Sequence, residues 1–364
     1  MKRFNIYFAW TELPTYGYFL LKFLDSKIDN NKLINFRVIS TKTNLKKNYI
    51  ENNKFYKKII WIDNKKKYTW RSLGLEIPNI FFQSGWHVKS FKHLGELVKK
   101  KNKSNKVIIC ADNSFKKQNL KQYIGRIIFK LFFKKKFDYA FVPGISGKKL
   151  MIKFGFKKEN IYTGVYSSLI DYYKNETLPV KRKKQFLYVG QFISRKNIIS
   201  LIKAFKIASK KNNDWKLVMV GSGNLKINKK LLGSNIHLIN KLQPKQLSKL
   251  YNESLFFILP SLIDHWPLVV HEAALCGCYL LLSNNVGNIP DLSNKKNSII
   301  FDPKSIFLIQ QAIEKGMKLK GKKLLQGNKE SEKLAKKFNY DLFSSKCIDI
   351  INDCKKSIIF PKCQ

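Results

Sequence analysis

Pro260 to Asp291 runs PSLIDHWPLVVHEAALCGCYLLLSNNVGNIPD, and each part of it has a physical reading. The apolar run Leu255–Leu259 just ahead stops at Pro260, as a short buried strand does at a turn former. A loop, Ser261 to Trp266, follows. A helix is expected from Pro267, since proline suits the first helical position, where an N–H would have no partner. Leu268, Val269, Glu272, Ala273, Leu275 and Cys276 carry it on, and Gly277 can close it in a left-handed conformation. Cys278–Leu282 is then a second buried strand, and 284–291 a second loop. Strand, loop, helix, strand, loop is one α/β unit.

Two acids give this unit its chemistry. Asp264 stands in the first loop, beyond a strand's carboxyl end, and Glu272 lies about two turns into the helix. Open parallel sheets bind ligands in the crevice beyond those strand ends. A helix N-terminus there offers unpaired N–H groups to a phosphate, and ionised carboxylates accept hydrogen bonds from sugar hydroxyls. The plainer alternative is a helix-capping Asp264 and a surface Glu272.

Working outward, Phe186–Gly190 reads as a strand, 191–196 as a loop and Ile198–Ser209 as an amphipathic helix. Arg195 and Lys196 thus stand where a diphosphate would be neutralised. Leu217–Val220 is the next strand, followed by Gly221-Ser222-Gly223-Asn224. Further helices are expected at Leu247–Ser254, Ile306–Met317, Lys329–Lys337 and Tyr340–Cys354. Asn175–Lys184, polar and ending in four cations, reads as a linker. Ahead of it, strands at Phe4–Ala9, Phe36–Ser40, Lys58–Ile62, Asn79–Gln83, Val107–Ala111 and Tyr139–Val142 alternate with helical segments, which argues a doubly wound parallel sheet.

At 364 residues the chain is long enough for two domains, and 44% hydrophobic residues supply their cores. No apolar stretch approaches the ~18 residues of a membrane span. Thr11, Glu12 and Pro14 interrupt any signal-peptide core after Lys2 and Arg3, so a cytoplasmic chain is expected. Neither the six cysteines nor the five histidines show ligand spacing, and no metal site or cofactor is expected. The formal charge of +46 attracts polyanions. Its cations are spread over nearly every segment rather than gathered in a recognition module, so no specific nucleic-acid partner is expected. One segment is more pointed. Residues 119–137 place Ile124, Ile127, Ile128, Leu131 and Phe132 at helical spacing among Lys121, Arg126, Lys130 and Lys134–Lys136. Such a helix either lies on an anionic membrane or packs its stripe on the domain's own sheet.

The strand ending in Pro260-Ser261 and followed by two acids in an E-x7-E spacing resembles the signature of retaining, family 4 type glycosyltransferases of group 1. Here the pair is Asp264 and Glu272, the first acid one methylene shorter. The resemblance implies the α/β GT-B fold, two Rossmann-like domains facing across a cleft. It places an acceptor-side domain at 1–178, with the helix 340–356 packing back on it, and a nucleotide-sugar domain at 185–338. By resemblance, Asp264 contacts the donor sugar and Glu272 the ribose. Lys196 matches the family's phosphate-binding lysine, Gln191 replaces its arginine, and Arg195 can supply the second charge. Gly190, Gly221, His265, Trp266, Pro267, Leu268 and Val269 complete the implied donor site; His265 and Pro267 stand where relatives usually carry glycine. On the acceptor side it implies Gly17, Gly85 and Trp86; Asp112, one residue after the place where many relatives carry a histidine that contacts the reacting sugar, is the implied catalytic candidate for that contact, with capping of the next helix as the alternative. The partners implied are a nucleotide-sugar donor and a glycan or lipid-linked acceptor, with the chain peripheral at the inner membrane face. Two other classes compete: a nucleotide-sugar epimerase or hydrolase of the same fold, and a non-catalytic polyanion-binding protein.

Overall fold

A computed structural model describes residues 3–29, 33–41, 54–85, 88–114 and 120–359; Trp86 lies outside them. The chain divides into two compact units, Met1–Ser167 with Asn339–Gln364, and Ser168–Phe338.

The first unit is built on seven parallel strands: β1 (Phe4–Trp10), β2 (Ile34–Thr41), β3 (Ile59–Ile62), β4 (Ile80–Ser84), β5 (Lys106–Cys110), β6 (Tyr139–Val142) and β7 (Ile161–Thr163). Their order is β3-β2-β1-β4-β5-β6-β7. Helices α1 (Thr15–Ile28), α2 (Lys89–Lys101), α3 (Leu120–Ile128) and α4 (Ile145–Lys153) make the connections. A sheet covered on both faces needs nearly continuous apolar strands, and β1 is buried from Asn5 to Trp10. Phe8 sits in register with Val38 and Phe82, its ring stacked on Phe82 at 4.0 Å between centroids. The late helix Tyr340–Ile359 completes this unit: Phe343 packs on Phe8 and Phe141, and Tyr340 on Phe23.

The second unit has six parallel strands in the order β10-β9-β8-β11-β12-β13. They are β8 (Lys183–Val189), β9 (Lys216–Val220), β10 (Ile236–Ile239), β11 (Ser254–Leu259), β12 (Tyr279–Ser283) and β13 (Ser298–Phe301). Helices α5 (Ile198–Ala208), α6 (Pro244–Glu253), α7 (Leu268–Leu275), α8 (Ile289–Leu292), α9 (Ile306–Met317) and α10 (Lys322–Ala335) connect them, and Tyr340–Ile359 is then α11.

In both sheets the chain winds outward one way and then the other, so the strand order reverses between β1 and β4 and between β8 and β11. Those reversal points are where loops at strand carboxyl ends part and leave room for a ligand.

The structure departs from the sequence reading in several places. Pro267 is the N-cap of α7 with extended backbone (ψ 118°), one residue before the helix rather than its first residue. The segment 119–137 is not one α-helix: α3 gives way to a π-turn at Phe129–Phe133 and a 3-10 turn at Lys134–Lys136. Strands β7, β10 and β13 had no counterpart in the expectations. Finally, residues 168–178 belong to the second unit. They are tied there through Ser168 to His271, Asn175 to Asn328 and Glu332, and Glu176 N–H to Asn252.

Arg182, expected as one cation of a solvated linker, is the buried centre of that tie. It donates to the carbonyl oxygens of Thr177, Tyr251, Ser254 and Cys276 and to Asn175 Oδ1. Tyr251 and Cys276 lie at the ends of α6 and α7, where carbonyls carry partial negative charge that favours a guanidinium.

Candidate functional site

At the reversal point of the second sheet, the loop after β8 meets the loop after β11. The Lys196 ammonium donates to Asp264 Oδ2, and both side chains are nearly buried. Arg195 Nη1 lies 3.6 Å from Asp264 Oδ1 and donates to the Ile263 carbonyl at 3.1 Å. Ser261 Oγ donates to Asp264 Oδ2 at 3.1 Å. The backbone locks the loops together: Leu262 N–H donates to Arg195 O, and Asp264 forms a parallel bridge with Val286. One carboxylate is thus shared by a nearly buried ammonium and a guanidinium that stays half exposed to water. Tyr188 lies below them, its hydroxyl donating to Gln191 O, its pKa raised by burial and by the Asp264 charge.

Glycine makes the close approach possible. Phe192 N–H donates to Ser222 O and Leu225 N–H to Phe192 O, so the loops after β8 and β9 run zipped together. A Cβ on Gly221 would lie 1.9 Å from Gly190 O, and one on Gly223 2.2 Å from Phe192 O. No side chain fits between those strands of chain.

Glu272, the residue that the resemblance assigns to the ribose, already has partners within the chain. It is half-buried on α7, and Tyr251 donates its hydroxyl to Oε2 at 3.1 Å. Burial pushes its carboxyl up to about 7, while hydrogen bonds from Tyr251 and Tyr173 pull the other way. Trp266, in the loop before α7, turns its side chain into the core: it packs on His271 and Phe338, and its indole N–H donates to Asp291 Oδ2. Leu268 and Val269 form the half-buried first turn of α7 beside a half-buried His265, and Gln191 is exposed.

Sequence reasoning missed His271. It is fully buried, accepts the Ser168 N–H at Nδ1 and donates from Nε2 to Ala335 O, which fixes its neutral tautomer. Burial lowers its pKa to about 4. The signal available was its place one residue before Glu272.

At the reversal point of the first sheet lies a cavity of about 280 Å³. Its lining includes Thr11, Glu12, Ser84, Gly85, Asp112 and Asn113, together with Trp10, Tyr16 and Tyr166. Hydroxyls from neighbouring strand ends build the loop: Ser84 Oγ accepts the Thr11 N–H, Thr41 Oγ1 that of Glu12, and Ser40 Oγ that of Leu13. Glu12 is thereby held at φ +46°, a conformation costly for a residue with a side chain. Tyr16 and Tyr166 meet edge to face at 5.6 Å, and burial followed by the Asp112 charge raises the Tyr16 pKa. Gly17 is buried in α1, and a Cβ there would press on Trp10, Leu13 and Pro14; it does not line the cavity. Among the described residues, no group of three His, Cys, Asp or Glu side chains is arranged to hold a metal ion.

Residues 170–337 match the model of a family described as glycosyl transferases group 1. Over 128 residues the chain is 30% identical to an uncharacterized glycosyltransferase of Haemophilus influenzae, a match spanning 34% of this chain and 36% of that relative's length. Among solved structures, HepE of Anabaena in complex with UDP and glucose is similar with a TM-score of 0.72 at 11% identity, covering 96% of this chain and 100% of that one. A glycosyltransferase of Rickettsia africae gives 0.71 at 12% identity over 98% and 100% of the two chains. The lipopolysaccharide outer core galactosyltransferase WaaB gives 0.65 at 14% identity over 96% and 99%. These likenesses show the fold, which is GT-B with two parallel α/β sheets of Rossmann-like type.

Proposed function

We propose that this chain is a cytoplasmic, retaining glycosyltransferase of group 1. It moves a hexosyl or N-acetylhexosaminyl residue from a nucleoside-diphosphate sugar to a glycan or lipid-linked acceptor, in cell-surface polysaccharide assembly. The observation that carries this reading is the nearly buried Lys196–Asp264 pair, with the half-exposed Arg195 beside it, at the reversal point of the second sheet. Two cations preorganised there stabilise the negative charge that develops on a leaving diphosphate. Asp264 then turns from its cations towards the donor's sugar hydroxyls as the phosphates take its place. Glu272 receives the ribose by exchanging a tyrosine hydroxyl for a ribose one. The leaving phosphate takes the acceptor's proton on the same face, so the anomeric configuration is retained. The cavity at Trp10, Glu12 and Asp112 holds the acceptor. The family match over 170–337 supports the class, and the UDP and glucose in the HepE complex favour a uridine donor.

The test is thermal shift of the purified protein against a panel of nucleoside diphosphates, in wild type, Lys196→Met and Glu272→Ala. One diphosphate should stabilise the wild type selectively, by ~2–4 kcal/mol at saturation, and neither variant. Equal shifts with every polyanion in all three proteins would dismiss the donor site. Release of free sugar from the donor without any acceptor would make the chain a hydrolase instead.

A further inference from the structure

On the first unit, α3 and the π-turn after it present an apolar face that the rest of the described chain leaves uncovered. Tyr123, Ile124, Ile127, Ile128, Leu131 and Phe132 are 44–66% exposed. The opposite side of the same segment is its anchor: Phe129 is buried and stacks on Phe137 and Phe154, with Phe133 beside it. The stripe that faces the domain's own core is therefore a different one, and packing on the sheet does not account for the outer residues. Soluble surfaces carry single exposed apolar residues freely, whereas six large ones within ten positions mark an interaction site.

Charge identifies the occupant. Residues 119–137 contain six Lys and Arg and no acid. Lys136 is tied to Glu96 and Lys134 is turned onto the Phe156 ring. Arg126 rests on Tyr123 at the edge of the apolar face, and Lys130 and Lys135 are exposed. A second copy of the chain would bring two such basic rims together in a protein of charge +46, which opposes self-association. An anionic lipid surface accepts both features at once, the aromatic and aliphatic side chains entering the acyl boundary and the cations meeting headgroups.

We propose that residues 123–136 are a membrane-docking surface that seats the first unit on an anionic bilayer. The inference stands on this surface alone and does not require the glycosyltransferase reading. The full chain is to be co-sedimented with vesicles of phosphatidylcholine alone and of phosphatidylcholine mixed with phosphatidylglycerol. Wild type should bind the anionic vesicles only. Leu131→Ser with Phe132→Ser, which changes no charge and touches only exposed positions, should weaken binding at least tenfold with an unchanged melting temperature. Lys130→Gln with Lys135→Gln should cost roughly fivefold per lost charge. Lys320→Gln with Lys322→Gln, the same charge change on exposed positions of the second unit, should cost little. The proposal is overturned if wild type ignores anionic vesicles, or if both lysine pairs act equally while the serine variant binds normally, since a diffuse basic coat then explains the binding. It is also overturned if the serine variant turns an oligomer into a monomer in size-exclusion chromatography.

Discussion

Asp264 is shared by Lys196 and Arg195, and its neighbours set what each substitution should do. Removing one partner of a buried ion pair leaves the other charge uncompensated, at a cost of ~3–5 kcal/mol. Lys196→Met should therefore melt early and lose the diphosphate shift together. Asp264→Asn removes the internal competitor for Lys196, so on the proposed reading the diphosphate selected in the panel should bind more tightly by calorimetry although sugar transfer is lost; weaker diphosphate binding would contradict the exchange of Asp264 for phosphate. Glu272 makes a pH prediction. Its folded pKa of about 7 lies above the ~4.3 of an unfolded glutamate, so between those values the native state holds the extra proton. Its contribution to stability is then present in acid and lost as pH rises through 7. Glu272→Gln, which mimics the protonated form, should match wild type near pH 4 and melt higher at pH 8. A difference that stays flat with pH would sink the assignment.

At the level of elements, α7 is held through His271, whose bonds reach Ser168 on one side and Ala335 at the end of α10 on the other. Here the sign is reversed. A folded pKa of about 4 against ~6.5 unfolded means that stability is complete above pH 6.5 and is lost as pH falls towards 4. His271→Gln should be less stable at neutral pH and show a shallower acid limb between those values, read by urea melts across a pH series. The zipped loops after β8 and β9 make a second prediction: Gly221→Ala puts a methyl on the Gly190 carbonyl and should cost stability and the diphosphate response together. Elements also show what the sequence could and could not tell. Central strands such as β8 and β11 were legible because burial on both faces demands unbroken apolar runs. The three strands that escaped are edges, and β10 and β13 expose part of each face, so their apolar signal is thin. Lys196 and Asp264 were legible from their places after strands. The tyrosines around Glu272 were not, because Tyr173 and Tyr251 reach it from distant positions.

For the whole molecule, 70 basic against 24 acidic residues mean that folding compresses like charges. Self-repulsion of this kind weakens as salt rises and the Debye length falls, from ~30 Å at 0.01 M to ~8 Å at 0.15 M. The melting temperature should climb with sodium chloride over that range, and a flat response would show that local pairings already balance the excess.

The helix Tyr340–Ile359 belongs to the unit that contains the beginning of the chain. On the ribosome this fixes an order of events. The second unit, 168–338, is synthesised whole and can close before α11 has emerged. Until then Phe8, Phe141 and Phe23 wait without Phe343 and Tyr340, with the apolar ground for the last helix bare. The part made first is the part finished last, and the nascent first unit is where a chaperone would find something to hold.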